Sequence, residues 1–256
     1  MELIDAQVVE VAELYPRNWI VWLDAPAACR GASVGQFLMV QCGGGFDPLL
    51  PRAFSIHRLR PGRTGTEFAL LFTVVGAGTD WLARRNQGDR VRLFGPLGYG
   101  YTVRPASRNL LLIAGGIGVA PLVWFADERV RRGDSVTLLL GARTADQLYP
   151  AALLPEEVEV VTCTDDGSAG RKSVVSELFP GYLLWADQAF ACGPTAMLRA
   201  LKNELLRAAW RKPVQALLEE QMACGTGICY SCAVVTRRGV KLICKDGPCF
   251  DLRDVY

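Results

Sequence analysis

The 256-residue sequence has a single histidine, His57, so any chemistry built on an imidazole would rest on that one side chain. Net charge is nearly missing too. There are 28 Lys and Arg against 26 Asp and Glu and no basic tract, which removes the electrostatic basis for binding nucleic acid or an anionic membrane surface. The opening, MELIDAQVVEVAELYP, lacks a basic segment followed by an apolar one, and no signal peptide is expected. Long apolar runs are scarce. The uncharged stretch Leu110–Ala126 holds Gly115, Gly116, Gly118 and Pro121, and it falls short of the ~18–20 residues of a spanning helix. A buried strand, turn and helix explains it better, so a cytoplasmic protein without a membrane span is expected. Internal repeats and low-complexity linkers are absent as well.

Apolar residues make up 50% of the chain, ample for more than one core, and a prior of about 150 residues per domain suggests two. Residues up to about 100 read as β structure. AQVVEVAELY, WIVWLDA, GQFLMVQC, RAFSIHRL, EFALLFTVV and DRVRLFGPLG are short runs rich in branched and aromatic residues, separated by Gly, Pro and Asp. That pattern suits a small barrel or sandwich. A short helix is expected in GTDWLARRNQG. The pattern then changes to buried strands alternating with helices: Asn109–Ala114, a helix from Val119 to Arg132, DSVTLLLGAR, EVEVVTCTDDG, QAFACGP and TAMLRALKNELLRAAWRK. This predicts a doubly wound parallel sheet. VQALLEEQ supplies one more strand before the tail.

Several stretches have the composition of ligand loops. LLLIAGGIGVAPL ends a strand in close glycines before a helix, where backbone N–H groups can approach a phosphate. Gly116 and Gly118 fit the dinucleotide fingerprint, but Pro121 stands at its third glycine, and Gly141-Ala142-Arg143 stands where an acidic residue would end the second strand. The same glycines would equally serve a tight strand–helix turn. In ACGPTAML, the Cys192-Gly193-Pro194 run at a later strand end would shape a slot for a planar ring; a core cysteine followed by a helix-starting proline is the plainer alternative. PRAFSI places Arg52 and Ser55 in an apolar strand, suited to phosphate or ring edges, although by these residues alone an ordinary surface arginine is the plainer reading. Gly76 and Gly78-Thr79 in VVGAGT form a second potential phosphate cradle.

The nine cysteines are an odd set, and five of them lie in the last 33 positions. With no export signal, a metal centre is favoured over disulfides. Cys29, Cys42 and Cys163 read as small buried hydrophobes. Cys224, Cys229 and Cys232 follow C-x4-C-x2-C, and Cys244 comes after a gap of eleven residues, the plant-type spacing of a [2Fe–2S] cluster. Zinc is the structural alternative, although zinc sites usually join two short Cys pairs. Cys249 is an alternative fourth ligand; Cys244 is preferred because the turn-forming KDGP follows it.

In their order along the chain, PRAFSI, VVGAGT, FGPLG, IAGGIGVAPL, TDDGSAGRKSVV, ACGPTAML and EEQMACGTGICYSCAVV…CKDGPCF resemble the ferredoxin–NADP⁺ reductase superfamily. Within it, the chain resembles the electron-transfer subunits of class 1B dihydroorotate dehydrogenase. The resemblance implies an FAD-binding β-barrel (residues 1–103), an NAD-binding domain (104–214) and a small [2Fe–2S] domain (215–256). It implies that Arg52, Ala53, Phe54 and Ser55 line the flavin, and that Leu71, Phe72, Thr73, Gly78 and Thr79 hold the rest of the FAD. Gly115, Gly116 and Gly118 would face the NAD pyrophosphate, Cys192, Gly193 and Pro194 would border the nicotinamide, and Cys224, Cys229, Cys232 and Cys244 would bind the cluster. Phe54 departs from the tyrosine common in the superfamily. Arg143, Arg171 and Lys172 are compatible with a 2′-phosphate, so NAD over NADP is implied by the resemblance alone. No acid–base pair is expected, because the cofactors supply the reactivity. The implied partner is an FMN-containing catalytic subunit in a heterotetramer. A diaphorase subunit of a hydrogenase, sulfide dehydrogenase or bifurcating transhydrogenase shares the same modules. An oxygenase reductase would need a longer ferredoxin domain, and a metal-bearing regulatory scaffold is the non-enzymatic alternative.

Overall fold

A computed structural model describes residues 2–43 and 48–255. The chain forms two compact units, Met1–Gly100 with Glu220–Val234 and Lys241–Pro248, and Tyr101–Glu219 with Val235–Val240 and Cys249–Tyr256. The cysteine-rich tail is therefore shared: its ligand-type loops group with the first unit and its last residues with the second.

In the first unit, β1 (Glu2–Tyr15), β2 (Asn18–Asp24), β3 (Phe37–Val40), β4 (Arg52–Ser55), β5 (Arg58–Pro61), β6 (Thr66–Thr73) and β7 (Arg90–Leu97) form one sheet in the order β4-β3-β7-β1-β2-β6-β5. Every pair in it is antiparallel. Short α1 (Pro26–Cys29) and α2 (Ala77–Ala83) interrupt the strands, the latter in the stretch expected to be helical. β2 buries Val21 and Leu23 fully and leaves Trp19, Trp22 and Asp24 half-buried, in keeping with a sheet that has one face on a core. Val21, Leu23, Leu38, Val40, Phe68, Leu70 and Val91 fill that core.

RAFSIHRL, expected to be one strand, is two. Ile56 N–H donates to Gln36 O (3.1 Å), whereas the next residue, His57, donates to Ala69 O (2.9 Å). A bend between β4 and β5 lets consecutive amides pair toward opposite edges of the sheet, and it satisfies buried backbone that a straight strand would leave unpaired. Ile56 and His57 are both fully buried in this bend.

In the second unit, β8 (Asn109–Gly115), β9 (Ser135–Ala142), β10 (Glu159–Thr164), β11 (Arg171–Lys172), β12 (Gln188–Cys192) and β13 (Val214–Leu217) are parallel, in the order β11-β10-β9-β8-β12-β13. α3 (Ala120–Arg131) and α4 (Thr195–Arg207) follow β8 and β12. The unbroken apolar run of β8 is buried from Leu110 to Gly115, the signature of a parallel strand covered on both faces. After β13 come the ribbon of β14 (Ala233–Thr236) and β15 (Gly239–Leu242), then α5 (Ile243–Asp246) and β16 (Cys249–Asp251), which adds antiparallel to β13. Among the described residues no helix is long and apolar enough to cross a membrane.

Candidate functional site

In the first unit, antiparallel pairing places β4 beside β3, and the chain beyond β6 turns into α2. The two stretches singled out there meet. A Cβ built on Gly78 would lie 3.2 Å from Arg52 Nε and 3.4 Å from Cys42 Cβ, so glycine leaves room for the guanidinium close against this turn. Arg52 Nη1 donates to Leu50 O (2.6 Å), which braces the side chain from its own strand end. Thr79 Oγ1 accepts from the N–H groups of Val75 (2.9 Å) and Gly76 (3.2 Å) and donates to Gly76 O (3.0 Å). Its hydroxyl therefore fastens the turn. Phe54 and Phe72 pack at 5.6 Å between ring centroids, and Thr73 Oγ1 donates to Asn18 Oδ1 (2.6 Å). Leu71 and Phe72 are buried, whereas Arg52, Ala53, Phe54 and Ser55 are each half-buried along β4. Half-buried apolar and cationic groups in one strand fit a partly sheltered aromatic ligand carrying phosphate.

In the second unit, β8 and β12 are hydrogen-bonded neighbours, with Cys192 opposite Ala114, so the loops that leave their carboxyl ends adjoin. Glycine permits the approach. A Cβ on Gly118 would sit 2.2 Å from Cys192 O, and one on Gly115 would sit 2.6 Å from Met197 Sδ. Gly116, at φ +54, faces open space. A backbone turn stripped of side chains at a crevice between neighbouring parallel strands fits a pyrophosphate. Met197, which lies against both Gly115 and Gly193, was not singled out from the sequence; its helical position one turn after Pro194 was the available signal.

The Cys192 thiol is fully buried and donates to Glu219 Oε1 (3.7 Å). Burial first, then the Glu219 charge, pushes it well above the ordinary thiol range. Part of Glu219 reaches solvent, yet desolvation by surrounding protein raises its carboxyl, opposed by the Cys192 hydrogen bond. Across the strands Cys192, Leu217 and Cys249 lie in register. Buried Tyr101, whose hydroxyl finds no partner among the described residues, titrates high through burial, then through Cys192 and Cys249. Glu219, Tyr101 and Cys249 thus join Cys192 in a cluster that only tertiary contact reveals. Cys249, weighed above as a fourth ligand, belongs to this cluster.

Of the remaining four tail cysteines, Cys224, Cys229 and Cys232 lie on a loop and Cys244 in α5, all in the first unit. Gly225 (φ +68) would drive a Cβ to 2.6 Å from Met39 Cγ and 3.0 Å from Leu97 Cδ1, so the loop presses directly on β3 and β7. Cys232 and Cys244 are buried with their sulfurs 3.3 Å apart, Cys224 is half-buried, and Cys229 is exposed. Backbone N–H groups already point at sulfur: Thr226 to Cys224 Sγ (3.4 Å) and Cys244 to Cys232 Sγ (3.5 Å). Burial raises the Cys224 thiol, but hydrogen bonds from Cys229 and Thr226 outweigh it and bring it down to about 5. Cys229 is lowered by hydrogen bonds to Ser231. Burial and then its bond to Cys232 push Cys244 up to about 12. Among the described residues no three ligand-type side chains converge on one ion-sized point; the thiols of Cys232 and Cys244 meet as a pair, and those of Cys224 and Cys229 interact with each other. All-thiol donors, amides aimed at sulfur and pairwise meeting fit a two-iron cluster, in which each iron takes two thiolates.

The matches to known proteins agree with this layout. Residues 219–256 match the iron-sulfur cluster binding domain of dihydroorotate dehydrogenase B, and residues 112–203 match an oxidoreductase NAD-binding domain. The chain is 40% identical over 256 residues to the dihydroorotate dehydrogenase B (NAD(+)) electron transfer subunit of Desulforamulus reducens, covering 97% of this chain and 96% of that one. It is 36% identical to the subunit of the same name from Bacillus mycoides, covering 86% of each. Among solved structures, a chain of the NADH-dependent reduced ferredoxin-NADP oxidoreductase superposes with a TM-score of 0.85 at 28% identity, covering 98% of this chain and 89% of that one. The chain belongs to the family of dihydroorotate dehydrogenase B electron-transfer subunits, oxidoreductase subunits with FAD-, NAD- and iron–sulfur-binding modules.

Proposed function

We propose that this chain passes electrons between NAD(H), FAD and a [2Fe–2S] cluster, to and from the FMN of a dihydroorotate dehydrogenase catalytic subunit in pyrimidine biosynthesis, within a heterotetramer. The observation that carries the reading is the cysteine loop seated on β3 and β7, with the Cys232–Cys244 pair 3.3 Å apart. In this reading a one-electron centre lies on the sheet whose β4 has the composition of a flavin site. When bound, flavin exchanges a hydride with nicotinamide and single electrons with a cluster, which joins the two chemistries.

The chain's own residues supply position. The first sheet is a barrel in this reading, supported by the Ile56–His57 bend that links its two edge strands. Arg52, braced by Leu50 O and flanked by Gly78, pairs with FAD phosphate, while Ala53, Phe54 and Ser55 line the flavin. Leu71, Phe72 and Thr73 support the ring, and Thr79 holds its turn through its hydroxyl. Gly115, Gly116 and Gly118 keep side chains away from the NAD pyrophosphate. Cys192, Gly193 and Pro194 border the nicotinamide, with Glu219 fixing the thiol. Cys224, Cys229, Cys232 and Cys244 bind the irons. The functional division falls at 1–103, 104–214 and 215–256, supported by the family matches at 112–203 and 219–256.

An anaerobic visible-absorption titration of the purified chain tests this: NADH should bleach flavin and iron–sulfur bands together, and adding the FMN subunit with dihydroorotate should reduce NAD⁺. A colourless chain, or one indifferent to NADH, sinks the proposal. The 0.85 TM-score to the NADH-dependent reduced ferredoxin-NADP oxidoreductase chain favours one alternative, a diaphorase subunit of a bifurcating complex. That alternative predicts NADH bleaching without any response to the dihydroorotate-oxidising subunit.

A further inference from the structure

Two large apolar side chains flank the exposed ligand-type cysteine: Ile228 is 80% exposed and Tyr230 is 64% exposed, with Cys229 between them. Tyr230 adopts φ +61, the left-handed region, although it is not glycine. The same loop places glycine at its other two left-handed positions, Gly225 (φ +68) and Gly227 (φ +83). A side chain in that conformation crowds its own backbone, and glycine would relieve the strain. Tyr230 contributes its carbonyl to a turn, accepting from Ala233 N–H (3.1 Å), a bond that glycine would make as well. The fold has little use for the exposed ring, and strain retained on such a residue is a mark of function.

The charge pattern points to the occupant. From Cys224 to Val235 there is no charged residue, and the nearby charge is the exposed Lys245, whose stem lies against Gly227 at the loop's edge. Soluble redox carriers that bind and leave use complementary charge to steer a brief encounter. A permanent subunit interface is instead apolar at its centre, with tyrosine among its strongest anchors.

We propose that Ile228 and Tyr230 form the apolar anchor by which the catalytic flavoprotein subunit seats permanently over Cys229. This rests on the function proposed above, since it assumes a cluster at Cys229 and an FMN subunit that receives its electrons. The side chains on either side of the thiol would set how closely the partner approaches and would exclude water from the exit.

The test compares wild type with Tyr230→Gly, Ile228→Ser and Tyr230→Phe, each reconstituted with cluster and FAD. Affinity for the purified FMN catalytic subunit is measured by calorimetry at low and high salt. Tyr230→Gly and Ile228→Ser should each bind at least tenfold more weakly, while Tyr230→Phe stays within about threefold of wild type. All four should keep the wild-type rate of NADH bleaching in the isolated chain. Wild-type affinity should change little with salt. Equal binding by both weakening variants, or a steep loss of wild-type affinity with salt, overturns the anchor. If Tyr230→Gly loads no cluster, Ile228→Ser decides alone. Wild type that bleaches with NADH but binds no FMN subunit refutes the proposed function itself.

Discussion

The sulfurs of Cys232 and Cys244 stand 3.3 Å apart, and Cys244 N–H donates to Cys232 Sγ at 3.5 Å. Eleven residues of ribbon and helix separate the two in sequence, and this contact favours Cys244 of the two candidate fourth ligands. Cys249 instead lies opposite Leu217 in the second unit's sheet.

Cys244→Ser should therefore abolish the iron–sulfur absorption and halve or eliminate bound iron. Cys249→Ser should keep both, at a stability cost of about 1–3 kcal/mol for a hydroxyl placed where a buried thiol was. Iron content per chain and the visible spectrum check the pair. A full cluster in Cys244→Ser would reassign the ligand.

Gly118→Ala should destabilise the chain by about 1–3 kcal/mol, because its Cβ would meet Cys192 O at 2.2 Å and no flexible side chain can yield. Gly116→Ala has open space but a φ of +54, so it should cost about 1 kcal/mol and act chiefly on NADH affinity. Thermal denaturation and the KM for NADH separate the two.

Arg52→Ala should weaken FAD binding at least tenfold, a loss of about 1.4 kcal/mol or more, while leaving the FAD-free fold nearly unchanged. Fluorescence titration with FAD measures the first and a melting curve the second. Unaltered FAD affinity would remove Arg52 from the site.

In the cluster-free chain, Cys224 has its pKa lowered from 9.0 to about 5. A depressed pKa stabilises the folded loop fully above the unfolded value, and that stabilisation fades as pH falls from about 9 toward 5. Cys224 should alkylate readily at pH 6–7, where it is already thiolate, whereas Cys244 at about 12 and Cys42 at about 11 should resist. Mass spectrometry after timed iodoacetamide treatment reads the order.

Tyr230→Gly should leave the stability of the isolated chain unchanged or raise it by up to about 1 kcal/mol, the relieved left-handed strain being partly offset by glycine's unfolded freedom. A urea titration checks it. A loss of stability would mean that the ring packs within the fold.

The modules were legible in the sequence because their signals are local. Continuous apolar β8, the glycine turn after it and the C-x4-C-x2-C spacing each follow from residues within a few positions of one another. RAFSIHRL misled for the same reason: its composition suits one strand throughout, and nothing local marks Ile56 and His57 as pairing toward opposite sheet edges. Glu219 and Tyr101 were invisible because a carboxylate and a tyrosine gain meaning here only from a buried thiol brought to them through space. By itself, then, the sequence determined which chemistries the chain can hold, since glycine turns and thiol spacing act over a few residues. Tertiary structure alone decided which cysteines meet, where the strand breaks and what Cys192 faces, because hydrogen bonding and burial join residues far apart in the chain.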